Sequence, residues 1–122
     1  MAGKFNTQTL GAIAETEACV FLEKQGLRLI QKNYRSPCGE IDLIMQDKTA
    51  IVFVEVRLRS AKTYGSATES VNLSKQRKLI KTALLFLQKK CWLNKVNARF
   101  DIIGIDTSKK IEWIQNAFSA TP

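Results

Sequence analysis

The chain has 122 residues, of which 45% are hydrophobic and 25% charged, enough for one globular domain with a single core. Histidine is absent, which excludes Ser/His and Cys/His triads and every histidine metal site. The chain has three cysteines, an odd number, and none of them is in CxxC spacing. This argues against a zinc site or a disulfide framework and favours reduced thiols.

The formal net charge of +8 comes from 19 Lys+Arg against 11 Asp+Glu. This excess favours a polyanionic partner, and nucleic acid before a membrane, because no basic amphipathic helix stands apart from the core pattern. The alternative is a basic surface that only keeps the protein in solution. No signal-peptide pattern and no apolar run of membrane-spanning length is found, so we expect a cytoplasmic protein.

Residues 1–8 are polar and are expected to form a flexible N-terminus. A helix is predicted at residues 9–25, because the apolar residues there fall on one helical stripe (Leu10, Ala14, Ala18, Phe21 and Leu22). Thr9 is the expected N-cap, and Gly26 stands where a helix C-terminal glycine belongs. Glu15 lies at the edge of the stripe, where a glutamate is either a solvated flank or a ligand.

Strands are predicted at residues 27–34, 41–45, 50–58, 99–105 and 111–114, with a turn at 36–39. Residues 60–70 are small and polar and are expected to form a loop that could contact substrate. The strongest helix pattern runs from Ser74 to about Trp92 and carries lysines and arginines outside its apolar face.

The element order is therefore α-β-β-β-α-β-β, which predicts an α/β domain at residues 9–118 with a mixed sheet flanked by helices and a tail at 119–122. The three consecutive strands suggest an antiparallel meander before the second helix crosses over.

Two neighbouring strands, at 41–45 and 50–58, carry charged residues within apolar runs. These are Glu40, Asp42, Glu55 and Arg57. With a four-residue turn at 47–50, Asp42 lies directly opposite Glu55, and with a two-residue turn the two are diagonal neighbours. A three-residue turn with a bulge would break this arrangement.

Two carboxylates on one face repel each other unless a cation lies between them, and Mg²⁺ suits ligands of this kind. Such an ion can activate water for phosphodiester cleavage. Glu15 and Glu40 could add outer ligands if the first helix packs near the hairpin. Alternatively, Asp42 and Glu55 only form ion pairs with Arg57, Arg35 or Arg99, and Asp101 only pairs with a neighbouring arginine.

Several motifs together resemble those of the bacterial YraN family over residues 7–118. They are Gly11-x3-Glu15-x2-Ala18, Asn33-Tyr34-Arg35, GEIDLI at 39–44, VFVEVRLR at 52–59, Lys75, and Arg99-Phe100-Asp101. That family is similar to the restriction-endonuclease-like PD-(D/E)XK superfamily, and in particular to archaeal Holliday junction resolvases. The resemblance implies an αβββαβ core and a nuclease that uses Mg²⁺ or Mn²⁺.

Residue by residue, the resemblance implies that Asp42 is the first-motif aspartate and Glu55 the acid of the (D/E)XK element, both metal ligands. Glu15 would be the helix glutamate that some resolvase-like members add to the site. Arg57 takes the place of the motif lysine, and this is a departure, because arginine stays protonated and cannot act as a base. It can still stabilise a developing negative charge.

Three functions remain open: a metal-dependent nuclease acting on DNA, with branched or structured DNA among the candidate substrates; a nucleic-acid-binding protein that keeps the fold without cleaving; and a protein-interaction domain. DNA is favoured over RNA, and a homodimer is expected from the resemblance alone. The basic residues expected to contact nucleic acid are Arg35, Arg59, Lys62, Lys75, Arg77 and Lys78.

Overall fold

The computed structural model describes residues 7–59 and 71–120, and its element order is the predicted one. Two helices and five strands follow one another as α1 (Thr7–Lys24), β1 (Arg28–Ser36), β2 (Gly39–Asp47), β3 (Ala50–Leu58), α2 (Leu73–Lys89), β4 (Ala98–Ile105) and β5 (Ile111–Phe118). The predicted α/β class is therefore confirmed. The predicted loop at 60–70, with Lys62, lies outside the described residues, as do residues 1–6 of the predicted N-terminus.

The strands form one mixed sheet in the order β1-β2-β3-β4-β5. The pairs β1/β2, β2/β3 and β4/β5 are antiparallel, and β3 and β4 are parallel. A parallel pair needs a long crossover between its strands, and α2 lies within that connection. The predicted meander followed by a helical crossover is thus confirmed.

The helix ends differ in detail from the predicted ones. Because α1 begins at Thr7, Thr9 lies inside the helix and the N-cap prediction for it is wrong. The predicted C-terminal glycine is confirmed, since Gly26 follows α1 with a φ of +99° that disfavours other residues. α2 begins at Leu73, one residue before the predicted Ser74, and Asn72 caps it, its Oδ1 accepting a hydrogen bond from the Lys75 backbone N–H at 3.0 Å.

One helix packs on each face of the sheet. On the α1 face, Ala14, Ala18 and Leu22 pack against Leu43 and Val54. The α2 face buries a second cluster in which Phe86 makes edge-on ring contacts with Tyr34 and Phe53. Neither described helix is long and apolar enough to cross a membrane.

Candidate metal centre

The strands β2 and β3 part from one another next to the predicted acidic residues. Their pairing runs from Asp47↔Ala50 to Leu43↔Val54, so the register is the one expected for a four-residue turn at 47–50. Asp42 and Glu55 are the next residues along the two strands. Beyond them β2 stays paired with β1 and β3 with β4, so a fork opens in the sheet at these two acids.

Side-chain alternation in β2 breaks at Asp42. In a regular strand Ile41 and Leu43 would point to the same face. Here Ile41 packs in the core beneath α2, whereas Leu43 packs in the core beneath α1. Asp42 therefore lies at the point where the strand changes face, and its carboxylate can meet side chains from both sides of the sheet.

The Asp42 carboxylate joins groups from three elements. Its Oδ2 accepts a hydrogen bond of 2.8 Å from the Val56 backbone N–H, which the parted strands leave available. When one carboxyl group of a pair is protonated, Asp42 can also share a hydrogen bond with Glu55 of β3 or with Glu15 of α1. Ligand oxygens of Glu15, Glu40 and Asp42 lie within 4.8 Å of one another. Asp42 thus links a three-carboxylate cluster to Glu55.

Burial and mutual repulsion make these acids hard to ionise. Burial, followed by the charge of Asp42, raises the pKa of Glu15 to about 7. Burial and the charge of Glu55 raise the pKa of Asp42, and the Val56 N–H opposes this only in part. The pKa of Glu55 is also raised by burial, against the opposing effects of the Asp42 hydrogen bond, Arg57 and Lys75. Without a cation the group therefore retains protons near neutral pH.

The donor set fits a hard divalent ion. All the candidate ligands are carboxylate oxygens, which Mg²⁺ and Mn²⁺ prefer. Oxygens around one Mg²⁺ lie within about 4.2 Å of each other, given Mg–O distances near 2.1 Å. A cluster already within 4.8 Å needs only a small side-chain movement to reach that spacing. A cation there would also favour the ionised form of all three carboxyl groups, against the burial that raises their pKa values.

The predicted basic residues lie at different distances from this centre. Arg57 Nη1 is 3.4 Å from Glu55 Oε2, and the charge of Lys75 acts on the same carboxylate. Arg35 Nε lies 2.6 Å from Glu40 Oε2. Lys78 packs beside Gly39, with its Cβ 3.5 Å from the position that a Cβ on that glycine would take.

Two further predicted basic residues are placed away from the acids. Arg59 Nη1 pairs with Glu112 Oε1 at 2.7 Å, next to a groove of about 410 Å³ against α1. Arg77 lines another groove, on the outer side of α2 with Leu73 and Ile80. The structure thus places Arg35 and Lys75 near acids of the centre, and Lys78 beside Gly39, which precedes Glu40.

The ion-pair alternative holds for Asp101 and in part for Glu55. Asp101 is buried and accepts hydrogen bonds from Arg99 Nε (3.1 Å), Trp113 Nε1 (2.9 Å) and the Asn116 N–H (2.9 Å), so its role is structural. Glu55 contacts Arg57, as above. Within residues 7–59 and 71–120, Asp42 forms no ion pair with a lysine or arginine.

Two contributors were missed in the sequence. The hydrogen bond from the Val56 N–H to Asp42 was not predicted, because a backbone amide in a strand normally donates to the neighbouring strand. The side chain of Asn33 lies close enough to the Glu15 carboxyl group to lower its pKa as a hydrogen-bond donor. Asn33 stands in the Asn33-Tyr34-Arg35 motif, and that motif was the available signal for it.

The family model and the similar sequences both identify the same protein family. The model of a family described as "Uncharacterised protein family UPF0102" matches residues 14–105. A UPF0102 protein of Coxiella burnetii (strain RSA 331 / Henzerling II) is 50% identical over 111 residues, which cover 91% of this chain and 92% of that one. One from Vibrio parahaemolyticus is 47% identical over 118 residues, covering 96% and 98%.

A solved structure, that of Pyrococcus furiosus SfsA in complex with Ca²⁺, matches 88% of this chain at 16% identity with a TM-score of 0.30. This chain spans 61% of that chain. A likeness this low carries no argument about fold or function.

Proposed function

The chain belongs to the uncharacterised protein family UPF0102, the YraN family that its motifs resemble, and from its candidate metal centre we propose a metal-dependent nuclease of the PD-(D/E)XK type that acts on DNA. The observation that carries the proposal is the meeting of Glu15, Asp42 and Glu55 at the fork between β2 and β3. All three cysteines are free thiols, which supports a reducing compartment, and we place the protein in the cytoplasm.

In this proposal Asp42, Glu15 and Glu55 hold one or more Mg²⁺ or Mn²⁺ ions, with Glu40 beside them. A divalent ion held there would supply activation of water and stabilisation of charge on a phosphate. The Val56 N–H fixes the Asp42 carboxylate, so that one of its oxygens stays directed into the fork. These acids repel one another in the absence of an ion, and a site with this property is suited to binding cations.

The basic residues around the centre would bind and orient the phosphate backbone. Lys75 and Lys78 lie one turn apart on the exposed side of α2. Arg35 is largely exposed and pairs with Glu40. Arg57 contacts Glu55 and remains protonated, so it contributes positive charge but accepts no proton. The proton of the attacking water would therefore have to be taken up by a group other than Arg57.

The proposal is tested by incubating the purified protein with labelled duplex, single-stranded and four-way-junction DNA in the presence of Mg²⁺ or Mn²⁺. Branched DNA is included because of the resemblance to Holliday junction resolvases. Cleavage should be lost in Asp42→Asn and Glu15→Gln. It should persist in Glu17→Gln, the matched control on α1, whose Oε1 instead pairs with Lys109 Nζ at 2.9 Å. Cleavage that survives Asp42→Asn would come from a contaminant and would refute the proposal.

The second candidate is a nucleic-acid-binding protein that keeps this fold without cleaving. Arg57 at the position of the motif lysine favours it, because arginine cannot take up a proton. This function would give DNA binding that weakens steeply with salt and no cleavage with any metal. A homodimer remains a prediction from the resemblance, to be checked by sedimentation.

A further inference from the structure

Asn33 has an unusual backbone conformation for its position. It lies in the middle of β1, yet its φ is +51°, in the left-handed region. Residues other than glycine adopt this region rarely, and asparagine does so more readily than most. Left-handed residues inside strands often redirect a side chain, and strained backbone of this kind clusters at functional sites.

The register places Asn33 opposite Asp42. The flanking pairs are Lys32↔Leu43 and Tyr34↔Ile41, so Asn33 is the residue across from the acid at which β2 changes face. Tyr34 and Ile41 both pack beneath α2, whereas Leu43 packs beneath α1. The irregularity of β1 at Asn33 therefore coincides with that of β2 at Asp42.

The side chain of Asn33 reaches the centre from β1. It lies close enough to the Glu15 carboxyl group to lower its pKa, as a hydrogen-bond donor does. The ligand oxygens of Glu15 and Asp42 lie within 4.8 Å of each other. Since a carboxylate only accepts, the Asn33 amide N–H₂ is the donor to the ionised form of Glu15.

We propose that Asn33 is a positioning residue that holds the Glu15 carboxylate toward Asp42, and that its left-handed backbone is retained because it aims the side-chain amide at Glu15. This inference rests on the proposed metal centre. Asn33 itself need not touch the ion or the substrate. It acts through Glu15, as hydrogen-bonded partners of metal-binding carboxylates commonly do.

The competing explanation is that asparagine stands here only because it tolerates a left-handed backbone. Asn33→Gly separates the two, because glycine keeps that backbone without strain and removes only the amide. Asn116→Gly is the matched control, since Asn116 has a φ of +50° within β5 and contacts Asp101 through a backbone N–H that glycine keeps, away from the acids at the fork. Melting temperatures of both variants should shift only slightly and by similar amounts, because glycine relieves the left-handed backbone but gives the unfolded chain more freedom.

The decisive measurement is Mn²⁺ binding by calorimetry to the full chain. Asn33→Gly should weaken Mn²⁺ binding about tenfold or more, and Asn116→Gly should leave it unchanged. In a Glu15→Gln background, Asn33→Gly should have little further effect, because the amide acts through that carboxylate. Unchanged affinity in Asn33→Gly, or an equal loss in both backgrounds, would overturn the inference.

A second measurement does not depend on the Asn33 variant folding. The side-chain amide resonances of Asn33 should shift on addition of Mg²⁺ and in Glu15→Gln, whereas those of Asn116 should not. Unmoved Asn33 resonances would also overturn the inference. A wild-type protein that binds no Mn²⁺ would overturn both this inference and the proposed function, whereas Mn²⁺ binding without an Asn33 effect overturns this inference alone.

Discussion

Raising the pH from about 5 to about 8 without divalent ions should destabilise the protein, because carboxyl groups at the fork must then ionise in a buried, acidic environment. Burial and the charge of Glu55 raise the pKa of Asp42 from 3.8 to about 7. Between these values the folded state keeps a proton that the unfolded state has released. The free energy of unfolding therefore falls as the pH rises across this interval.

The size of the effect follows from the same pKa. From about pH 5, where the unfolded aspartate is already mostly ionised, to the folded pKa of about 7, each pH unit costs about 1.4 kcal/mol, so Asp42 alone sets an upper limit of about 3 kcal/mol. Asp42 and Glu55 ionise together and the side chains can relax, so we expect a loss of about 1 to 3 kcal/mol. Saturating Mg²⁺ should remove most of this loss.

Urea unfolding followed by tryptophan fluorescence, with EDTA and then with Mg²⁺, measures this dependence. Asp42→Asn is the matched variant, because its amide oxygen still accepts from the Val56 N–H and its N–H₂ can donate to Glu55. It should be more stable than the wild type at about pH 8 and have a much smaller pH slope. Equal slopes in the two proteins, or a wild-type stability that rises over this interval, would refute the reasoning.

Three further outcomes are expected from the structure. Asp101→Ala should cost about 3 kcal/mol or more in urea unfolding, because it leaves three donors of a buried carboxylate unpaired. Phe86→Ala should cost about 3 to 5 kcal/mol by the same assay, since its ring is 1% exposed, whereas Leu84→Ala on the exposed side of α2 should stay within about 0.5 kcal/mol. In DNA-binding titrations, Lys78→Ala should reduce the slope of log affinity against log salt by about 1, and Lys48→Ala at the β2–β3 turn should leave it unchanged. An unaltered slope in Lys78→Ala would remove α2 from the binding surface.

The local parts of the fold could be predicted because the signals lie within a few residues of each other. Each of these signals lies within a short stretch of sequence. They are the glycine after α1, the polar turn between β2 and β3, and the apolar face of α2. The register of the hairpin follows from the turn length, which the sequence left open and the structure shows to be four residues. The N-cap predicted at Thr9 was wrong and α2 begins one residue before Ser74, since helix ends are less sharply encoded than helix interiors.

The role of Asp101 shows why acids within strands could not be sorted from the sequence. Asp42, Glu55 and Asp101 all stand among apolar neighbours. Only Asp101 receives the Trp113 Nε1–H and the Asn116 N–H, both from β5. Those donors reach it because β5 pairs with β4, which is a long-range event. The same local pattern therefore gives a structural carboxylate in β4 and a candidate metal ligand in β2.

The sequence by itself determined the order of the elements and limited the hairpin to a few turn lengths, two of which bring Asp42 near Glu55, because these depend on short-range periodicity and chain geometry. The structure selected the four-residue turn. Only the tertiary structure decided that β2 and β3 part at these acids, that α1 brings Glu15 against them, and that Asn33 adopts a left-handed backbone opposite Asp42. The physical reason is that Glu15 reaches Asp42 through contact between segments far apart in the chain, whereas the parting of β2 and β3 and the backbone of Asn33 are departures from regular strand geometry, and residue propensities encode neither.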